Sequence, residues 1–141
     1  MLQRFSNKPL ARYIRMSPEE SIIWGRFLAS AYNIYERYDY DLRVGTGILP
    51  DVDIPEPFIK DYQMLTQKRI DAVGYLNNTA TIFEVKTRSL ISPIGQLLGY
   101  KSLFAITYPS IPVVSLKLVC SSISVEDSNV FKSLGIDVLI F

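Results

Sequence analysis

Two strand-like segments joined by a pair of asparagines constrain the fold of this chain more than any other feature. The segments read "KRIDAVGYL" over residues 68–76 and "TATIFEVKT" over residues 79–87. Asn77-Asn78 lies between them, and asparagine tolerates the positive φ that a two-residue hairpin turn requires. The sequence therefore predicts two adjacent antiparallel strands in a fixed register.

Counting outward from this turn places Asp71 opposite Glu84. Opposed residues project from the same side of a sheet, with Cβ atoms about 4.5–5.5 Å apart. Two like charges at that separation are destabilising unless a positive group lies near them. Lys86 follows Glu84 by two residues and is expected on the same face, while Phe83 and Val85 are expected in the core. Three charged groups are thus predicted to converge on one spot of an apolar hairpin.

Two interpretations of this charged cluster are open. A solvated strand face with a chance salt bridge explains many Glu-x-Lys triplets. Paired carboxylates, however, supply the oxygen ligands that Mg²⁺ and Mn²⁺ prefer. A lysine beside such a metal suits phosphodiester hydrolysis, because the metal polarises the phosphate and lowers the pKa of a bound water, while the lysine orients that water or neutralises developing charge. The register of Asp71 with Glu84 favours this second interpretation.

The rest of the chain reads as alternating helices and strands. Ser17, Pro18 and Glu20 form a capping-box pattern that predicts a helix to about residue 35. Three prolines and little periodicity predict a long loop over residues 50–67. The other predicted elements are a strand or extended arm at 40–49, a helix at 92–106, a strand at 112–122, a short helix at 124–135 and a strand at 136–141. This order predicts one α/β domain over residues 1–141, with a mixed sheet of four to five strands flanked by helices.

An aspartate, a hairpin and then Glu-x-Lys resemble the metal-binding strands of the PD-(D/E)xK nuclease superfamily, here in "KRIDAVGY" and "IFEVKTR". "GQLLGY" supplies Gln96 and Tyr100, one helical turn apart on one helix face. These two residues resemble the Gln-x-x-x-Tyr motif of RecB-type nucleases. The resemblance covers residues 17–141 and implies a restriction-endonuclease-like core.

The resemblance also implies roles for the residues of the hairpin. Asp71 and Glu84 would hold Mg²⁺ or Mn²⁺ together with the Val85 carbonyl, and Lys86 would be the catalytic lysine. In the same family, the Gln-x-x-x-Tyr residues orient the lysine or the DNA, which assigns that role to Gln96 and Tyr100.

Members of this family often add an acid from the first helix. Glu20 is the candidate here, although its capping-box role explains it equally well, and Glu36 is a weaker candidate. The literal Pro50-Asp51 pair lies in the proline-rich segment rather than opposite Glu84, so it is the less favoured match. RecB-type members often carry a histidine on the first helix, and this chain contains no histidine.

The basic residues available to hold a nucleic acid fall into two groups. The arm at residues 1–16 is basic and contains two aromatic residues, although a plain solvated segment explains it equally well. A second group flanks the predicted site. The cations are Arg4, Lys8, Arg12 and Arg15 in the arm, and Lys68, Arg69 and Arg88 beside the site. The net charge is only +1, so binding must use such local patches rather than a global positive field. No base-reading helix or zinc module is apparent, which favours structure- or end-directed binding of DNA.

Several classes of site are excluded by composition. Without histidine there is no imidazole base and no zinc–histidine site. Cys120 is the single cysteine, so the chain forms no internal disulfide, and its apolar surroundings favour a core role. No apolar run reaches the length of a membrane span, which predicts an intracellular protein without a membrane partner. The small size suggests a phage or mobile element as the source, and hence the host cytoplasm or a virion as the location.

The sequence therefore predicts a Mg²⁺-dependent deoxyribonuclease, either endonucleolytic or exonucleolytic. The alternative is a non-catalytic protein of the same fold that binds DNA or assists virion assembly. An RNA-processing nuclease would use the same site. The chain could act as a homo-oligomer or within a larger nucleic-acid-processing or virion assembly.

Overall fold

A computed structural model describes the backbone of residues 4–5 and residues 13–49, 53 and 55–141. In chain order the elements are β1 (Arg4–Phe5), α1 (Pro18–Leu28), β2 (Arg37–Val44), α2 (Glu56–Thr66), β3 (Lys68–Leu76), β4 (Thr79–Ser89), α3 (Pro93–Thr107), β5 (Val113–Ile123), α4 (Val125–Ser133) and β6 (Ile136–Ile140).

The strands form one mixed sheet in the order β1-β2-β3-β4-β5-β6. Strands β1 to β4 are antiparallel, and β4, β5 and β6 are parallel. β1 contributes only two residues, so five strands of ordinary length make up the sheet. The predicted α/β domain with a mixed sheet flanked by helices is confirmed.

The hairpin between β3 and β4 forms as the sequence predicts. Asn77 and Asn78 have φ angles of 51° and 62°, the left-handed values that the turn requires. Leu76 lies opposite Thr79, and the paired register continues to Ala72 opposite Phe83. The turn chemistry and the register as far as Ala72 and Phe83 are therefore confirmed, whereas the next predicted pair, Asp71 with Glu84, lies beyond the end of the ladder.

Both faces of the sheet are buried, which the alternation of the hairpin alone does not indicate. Helix α1 packs on one face and forms the α1-side core, and helices α3 and α4 cover the other face and form the α3-side core. The α1-side core includes Trp24, Phe27, Tyr38, Tyr40, Ala72, Phe83, Val85 and Val119. The α3-side core includes Leu42, Ile70, Val73, Ile82, Leu97, Phe104, Leu118, Cys120 and Phe131. A charged residue on either face can therefore be buried between the sheet and a helix.

Helix α1 begins as predicted and ends earlier than predicted. The Ser17 hydroxyl accepts from the Glu20 amide at 3.1 Å, and the Glu20 carboxylate accepts from the Ser17 amide at 2.9 Å, which completes the capping box. The predicted end at about residue 35 is wrong. The helix stops at Leu28 because the Ser30 hydroxyl and the Asn33 amide donate to the last helical carbonyls.

The predicted loop over residues 50–67 is also partly wrong, because residues 56–66 form helix α2. Its proline, Pro57, lies in the first turn, where the missing amide proton breaks no helical bond. No side chain of α2 is fully buried, and Phe58, Tyr62 and Leu65 are exposed. Residues 50, 51, 52 and 54 lie outside the described residues.

The predicted strand over residues 40–49 is shifted. β2 starts at Arg37 and ends at Val44, before Gly45 and Gly47, which both have positive φ.

Among the described residues no helix combines the length and the apolar character needed to cross a bilayer.

The close approach of two tyrosine rings to Gly74 gives a test of this packing. A Cβ atom at Gly74 would lie 2.8 Å from the Tyr35 ring and 2.9 Å from the Tyr38 ring, and both tyrosines are buried. We expect Gly74→Ala to lower the free energy of unfolding by about 1–3 kcal/mol, because overpacking displaces the rings. Urea unfolding measures this. Gly25→Ala is the control: nothing lies within 4 Å of its added Cβ in helix α1, so it should raise stability by up to about 1 kcal/mol. Equal effects of the two variants would contradict the packing.

Candidate active site

The site is centred on two carboxylates at the open end of the β3–β4 hairpin. Glu84 is buried on β4, with 2% of its surface exposed. Asp71 follows Arg69 and Ile70 on β3, and its Oδ2 atom accepts a hydrogen bond from the Val85 amide at 2.9 Å. The Asp71 side chain thus binds the β4 backbone just where the regular ladder between β3 and β4 ends at Ala72 and Phe83. Asp71 and Glu84 lie beside each other, close enough to share a hydrogen bond when one carries a proton.

The surroundings of Glu84 disfavour its charged form. Burial raises the pKa of the Glu84 carboxyl well above its ordinary value of 4.5, and the hydrogen bond with Asp71 and the charges of Asp71 and Glu20 raise it further. The Lys86 ammonium acts in the opposite direction and lowers this pKa. The Oε2 atom of Glu84 is buried, and no donor in the described part of the chain reaches it. One buried oxygen therefore lacks the positive or hydrogen-bonding partner that a buried acid normally has.

Helix α3 brings Tyr100 to the same place, whereas Gln96, one turn earlier on the helix, is exposed. Tyr100 is 7% exposed, belongs to the α3-side core and forms a hydrogen bond with Gln96. Burial raises the pKa of the Tyr100 phenol, and the charges of Glu84 and Asp71 add to the effect. The helix predicted from "SPIGQLLGYKSLFAI" therefore places Tyr100 beside the two acids.

Strands β2 and β3 change face at Asp41 and Asp71. Tyr40 belongs to the α1-side core, whereas Leu42 belongs to the α3-side core, and their partners on β3 follow the same division. Residues two apart on a regular strand share a face, so the backbone turns between them. Asp41 has a φ of 53° at this point.

Asp41 lies next to this site, and the sequence analysis does not single it out. Its carboxylate forms a bidentate pair with Arg69, at 2.8 Å to Nε and 2.5 Å to Nη2, and lies 3.6 Å from Nε of Arg15. The flanking register places it opposite Asp71. The available sequence signal is the position of Asp41 in "YDYDLRV", a segment that reads as a buried strand. An acid on such a strand needs a positive or hydrogen-bonding partner.

The other predicted residues are distributed around this centre. Glu20 lies at the start of α1, and its negative charge raises the pKa of Glu84. One of its carboxylate oxygens accepts the hydrogen bond of the capping box. Lys68 and Arg88 are exposed on β3 and β4. The Glu36 carboxylate accepts from the Asn77 amide at 2.9 Å, at the opposite end of the hairpin, so the Glu36 alternative is wrong. Arg12, Lys8 and Asp51, together with the Arg4 side chain, lie outside the described residues.

The side chains at this centre determine which kind of metal site it could form. Within the described ranges, no three side chains among His, Cys, Asp and Glu come together as a metal-binding group. Two carboxylates do come together, one with an unpartnered buried oxygen. Mg²⁺ is commonly bound by one or two carboxylates, with water and substrate phosphates completing its shell. The residues present fit such an ion and do not fit a closed structural metal site.

Comparison of the chain with protein-family models, with curated proteins and with solved structures finds no significant match.

The buried acid gives a testable pH dependence. The folded state holds the Glu84 proton more tightly than the unfolded state, so its contribution to stability is full below pH 4.5 and is lost as pH rises toward the raised folded pKa. Glu84→Gln keeps a donor toward Asp71 without titrating. In EDTA we expect this variant to exceed the parent in stability by about 1–3 kcal/mol at pH 7, since each pKa unit is worth about 1.4 kcal/mol, and to differ little near pH 4.5.

Urea unfolding between pH 4.5 and 8 measures this difference. Asp61→Asn, on the exposed surface of α2, is the control and should show no such pH-dependent gain. A Glu84→Gln variant less stable than the parent at neutral pH would contradict the strained acid pair.

Proposed function

We propose that this chain is a divalent-metal-dependent nuclease that hydrolyses DNA phosphodiester bonds at the site formed by Asp71, Glu84 and Lys86. The observation that carries the proposal is the buried Glu84 carboxyl, which lies against a second acid and has one oxygen without a described partner. A purely structural acid at this position would be more stable with that oxygen paired. A cation that enters between the two acids would remove both the repulsion and the unpaired oxygen.

The proposed fold is a restriction-endonuclease-like core. Support comes from the order of elements around the site: an antiparallel hairpin carries the acids, helix α3 follows, and β5 returns parallel to β4. This is the order that the PD-(D/E)xK resemblance implies.

Asp71, Glu84 and the Val85 carbonyl would hold Mg²⁺ or Mn²⁺. The amide of Val85 is already bonded to Asp71, which fixes the aspartate against the strand that carries the other ligands. A bound ion would supply polarisation of a phosphate oxygen and a lowered pKa for a water molecule. The same Asp71 bond limits the movement of the carboxylate, which suits a ligand that must keep its position.

Lys86 follows Glu84 by two residues on β4, and its positive charge lowers the pKa of the Glu84 carboxyl. Lys86 is half-buried. From there it would hold the attacking water or neutralise charge that develops on the phosphate. The hydrogen-bonded Gln96 and Tyr100 would position the lysine or a phosphate oxygen from the side of α3.

Binding of the divalent ion should be visible in thermal stability. We expect Mg²⁺ or Mn²⁺ to raise the Tm of the parent protein, by about 2.7 kcal/mol of stability at a hundredfold excess over Kd, or on the order of 10 °C for a domain of this size. Asp71→Asn and Glu84→Gln should lose the response. Asparagine is preferred to alanine because it keeps an acceptor for the Val85 amide. A parent whose Tm ignores both ions would contradict metal binding.

Cleavage should depend on Lys86 separately from metal binding. Lys86→Ala should keep the metal-induced rise in Tm and lose at least about a hundredfold in the rate of DNA cleavage, since its role is with the attacking water. The assay uses linear, nicked, single-stranded and branched DNA, and RNA, with Mg²⁺, Mn²⁺ or EDTA. Lys132→Ala, exposed on α4, is the matched control and should cleave like the parent.

Two outcomes would contradict the proposal. Metal binding without cleavage of any substrate would favour a non-catalytic nuclease-fold protein that binds DNA or acts in virion assembly. Equal cleavage by the parent and by Lys86→Ala would exclude the assigned site.

A further inference from the structure

A pocket of about 530 Å³ lies beside the acid pair and is distinct from it. Strands β2 and β3 form its floor, and α2 and the end of α3 contribute to its walls. It contains Asp41, Arg43 and Arg69 as its charged groups. Its volume lies within the range of small-molecule sites, about 300–1,000 Å³.

The charges in this pocket are not balanced. Arg43 and Arg69 are directly opposed across the β2–β3 ladder, so both side chains project to the same side. Asp41 pairs with Arg69 and also lies close to Arg15 at 3.6 Å. In the part of the chain that the structure describes, no carboxylate forms an ion pair with Arg43. Opposed like charges are destabilising, and an anion would relieve them.

The walls next to these guanidinium groups are apolar and aromatic. Ile14 and Met64 are exposed at 40% and 45%, and Tyr108 is half-buried with its ring packed 5.0 Å from that of Phe104. The Phe104 contact holds the Tyr108 ring in place. Apolar side chains and a fixed aromatic ring suit the flat faces of a nucleobase, and neighbouring arginines suit its phosphate.

The pocket is adjacent to the proposed cleavage site. Arg69 precedes Asp71 by two residues on β3, which corresponds to about 7 Å at the rise of a strand. The paired residues on either side place Asp41, on the pocket side, opposite Asp71. A phosphate held at the acid pair would thus leave the next nucleotide of the same strand at the mouth of the pocket.

We propose that this pocket binds one unpaired nucleotide next to the scissile phosphate, with its phosphate at Arg43 and Arg69 and its base against Met64 and Tyr108. A base enters such a pocket only when it has left the duplex stack. The pocket therefore selects single-stranded ends, flaps or flipped nucleotides over continuous duplex. The proposal rests on the proposed function, because it takes the neighbouring phosphate to lie at Asp71 and Glu84.

The test measures binding in EDTA, where no cleavage occurs, with a fluorescent single-stranded ten-nucleotide DNA and the duplex of the same sequence. Met64→Trp fills the pocket from an exposed position, and Arg43→Gln removes its unpaired cation. Each should weaken single-strand binding about tenfold, the loss expected for one charge-assisted hydrogen bond or one stacked base, and should change duplex binding less than twofold.

Matched controls use exposed residues outside the pocket. Leu65→Trp is the next residue of α2, and Arg26→Gln removes an exposed cation from α1. Both should bind the single strand like the parent. Unchanged single-strand binding in the two pocket variants, or an equal loss for the duplex, would overturn the pocket proposal.

A parallel cleavage assay with Mg²⁺ separates this proposal from the proposed function. If the parent cleaves DNA and the pocket variants cleave flaps and duplexes in the same ratio as the parent, the pocket proposal alone is overturned. A parent that cleaves nothing but binds the single strand through Arg43 and Met64 would overturn the nuclease function and leave the nucleotide pocket supported.

Discussion

Two asparagines with positive φ set the pairing of β3 with β4, and the position of Glu84 depends on that pairing. A slip of one residue would exchange the faces of every side chain on one strand. Phe83 would then leave the aromatic cluster around Trp24, where the two rings lie 5.0 Å apart. Because both faces of this sheet are covered by helices, a slipped hairpin would lose contacts on both sides. The same register that packs two apolar cores therefore forces an acid into one of them.

The acid pair works against the stability of the domain that contains it. Burial of an ionised carboxylate carries a penalty of several kcal/mol unless a partner compensates it. The Lys86 charge compensates Glu84 only in part, and the hydrogen bond shared with Asp71 favours the protonated form of Glu84. Asp71 is better satisfied, since it accepts the Val85 amide. The two carboxyls therefore differ in their hydrogen bonding although they lie side by side. A buried acid whose pKa is raised by burial and by a neighbouring carboxyl is a feature of many functional sites.

The sequence predicts the parts of this structure that depend on local rules. The Asn77-Asn78 turn, the capping box at Ser17 and the strands of the hairpin follow from spacing and residue type. Helix α2 does not follow from local rules, because no side chain caps its start at Pro55 and the prolines around that start favour a loop. The end of α1 was misplaced because apolar residues continue beyond Leu28, while Ser30 and Asn33 stop the helix through side-chain bonds to its carbonyls. The positions of Asp41 and of the pocket depend on a turn of the backbone within β2 and within β3, at Asp41 and Asp71. This is a tertiary property that the period-two alternation of side chains does not encode.

The acid-bearing hairpin and helix α3, the two parts of the site, are expected to form at different stages of folding. The β3–β4 pairing closes a loop of two residues, whereas β4 meets β5 only after the chain has passed through α3. Short loops close with a small loss of chain entropy, so we expect the hairpin to form first. Asp71 and Glu84 would then meet while still hydrated, and their repulsion would be weak. Their full electrostatic penalty would arise when α3 docks and brings Tyr100 beside them. Docking of that helix is therefore the folding step that we expect to slow as the pH rises above 4.5, the ordinary pKa of Glu84.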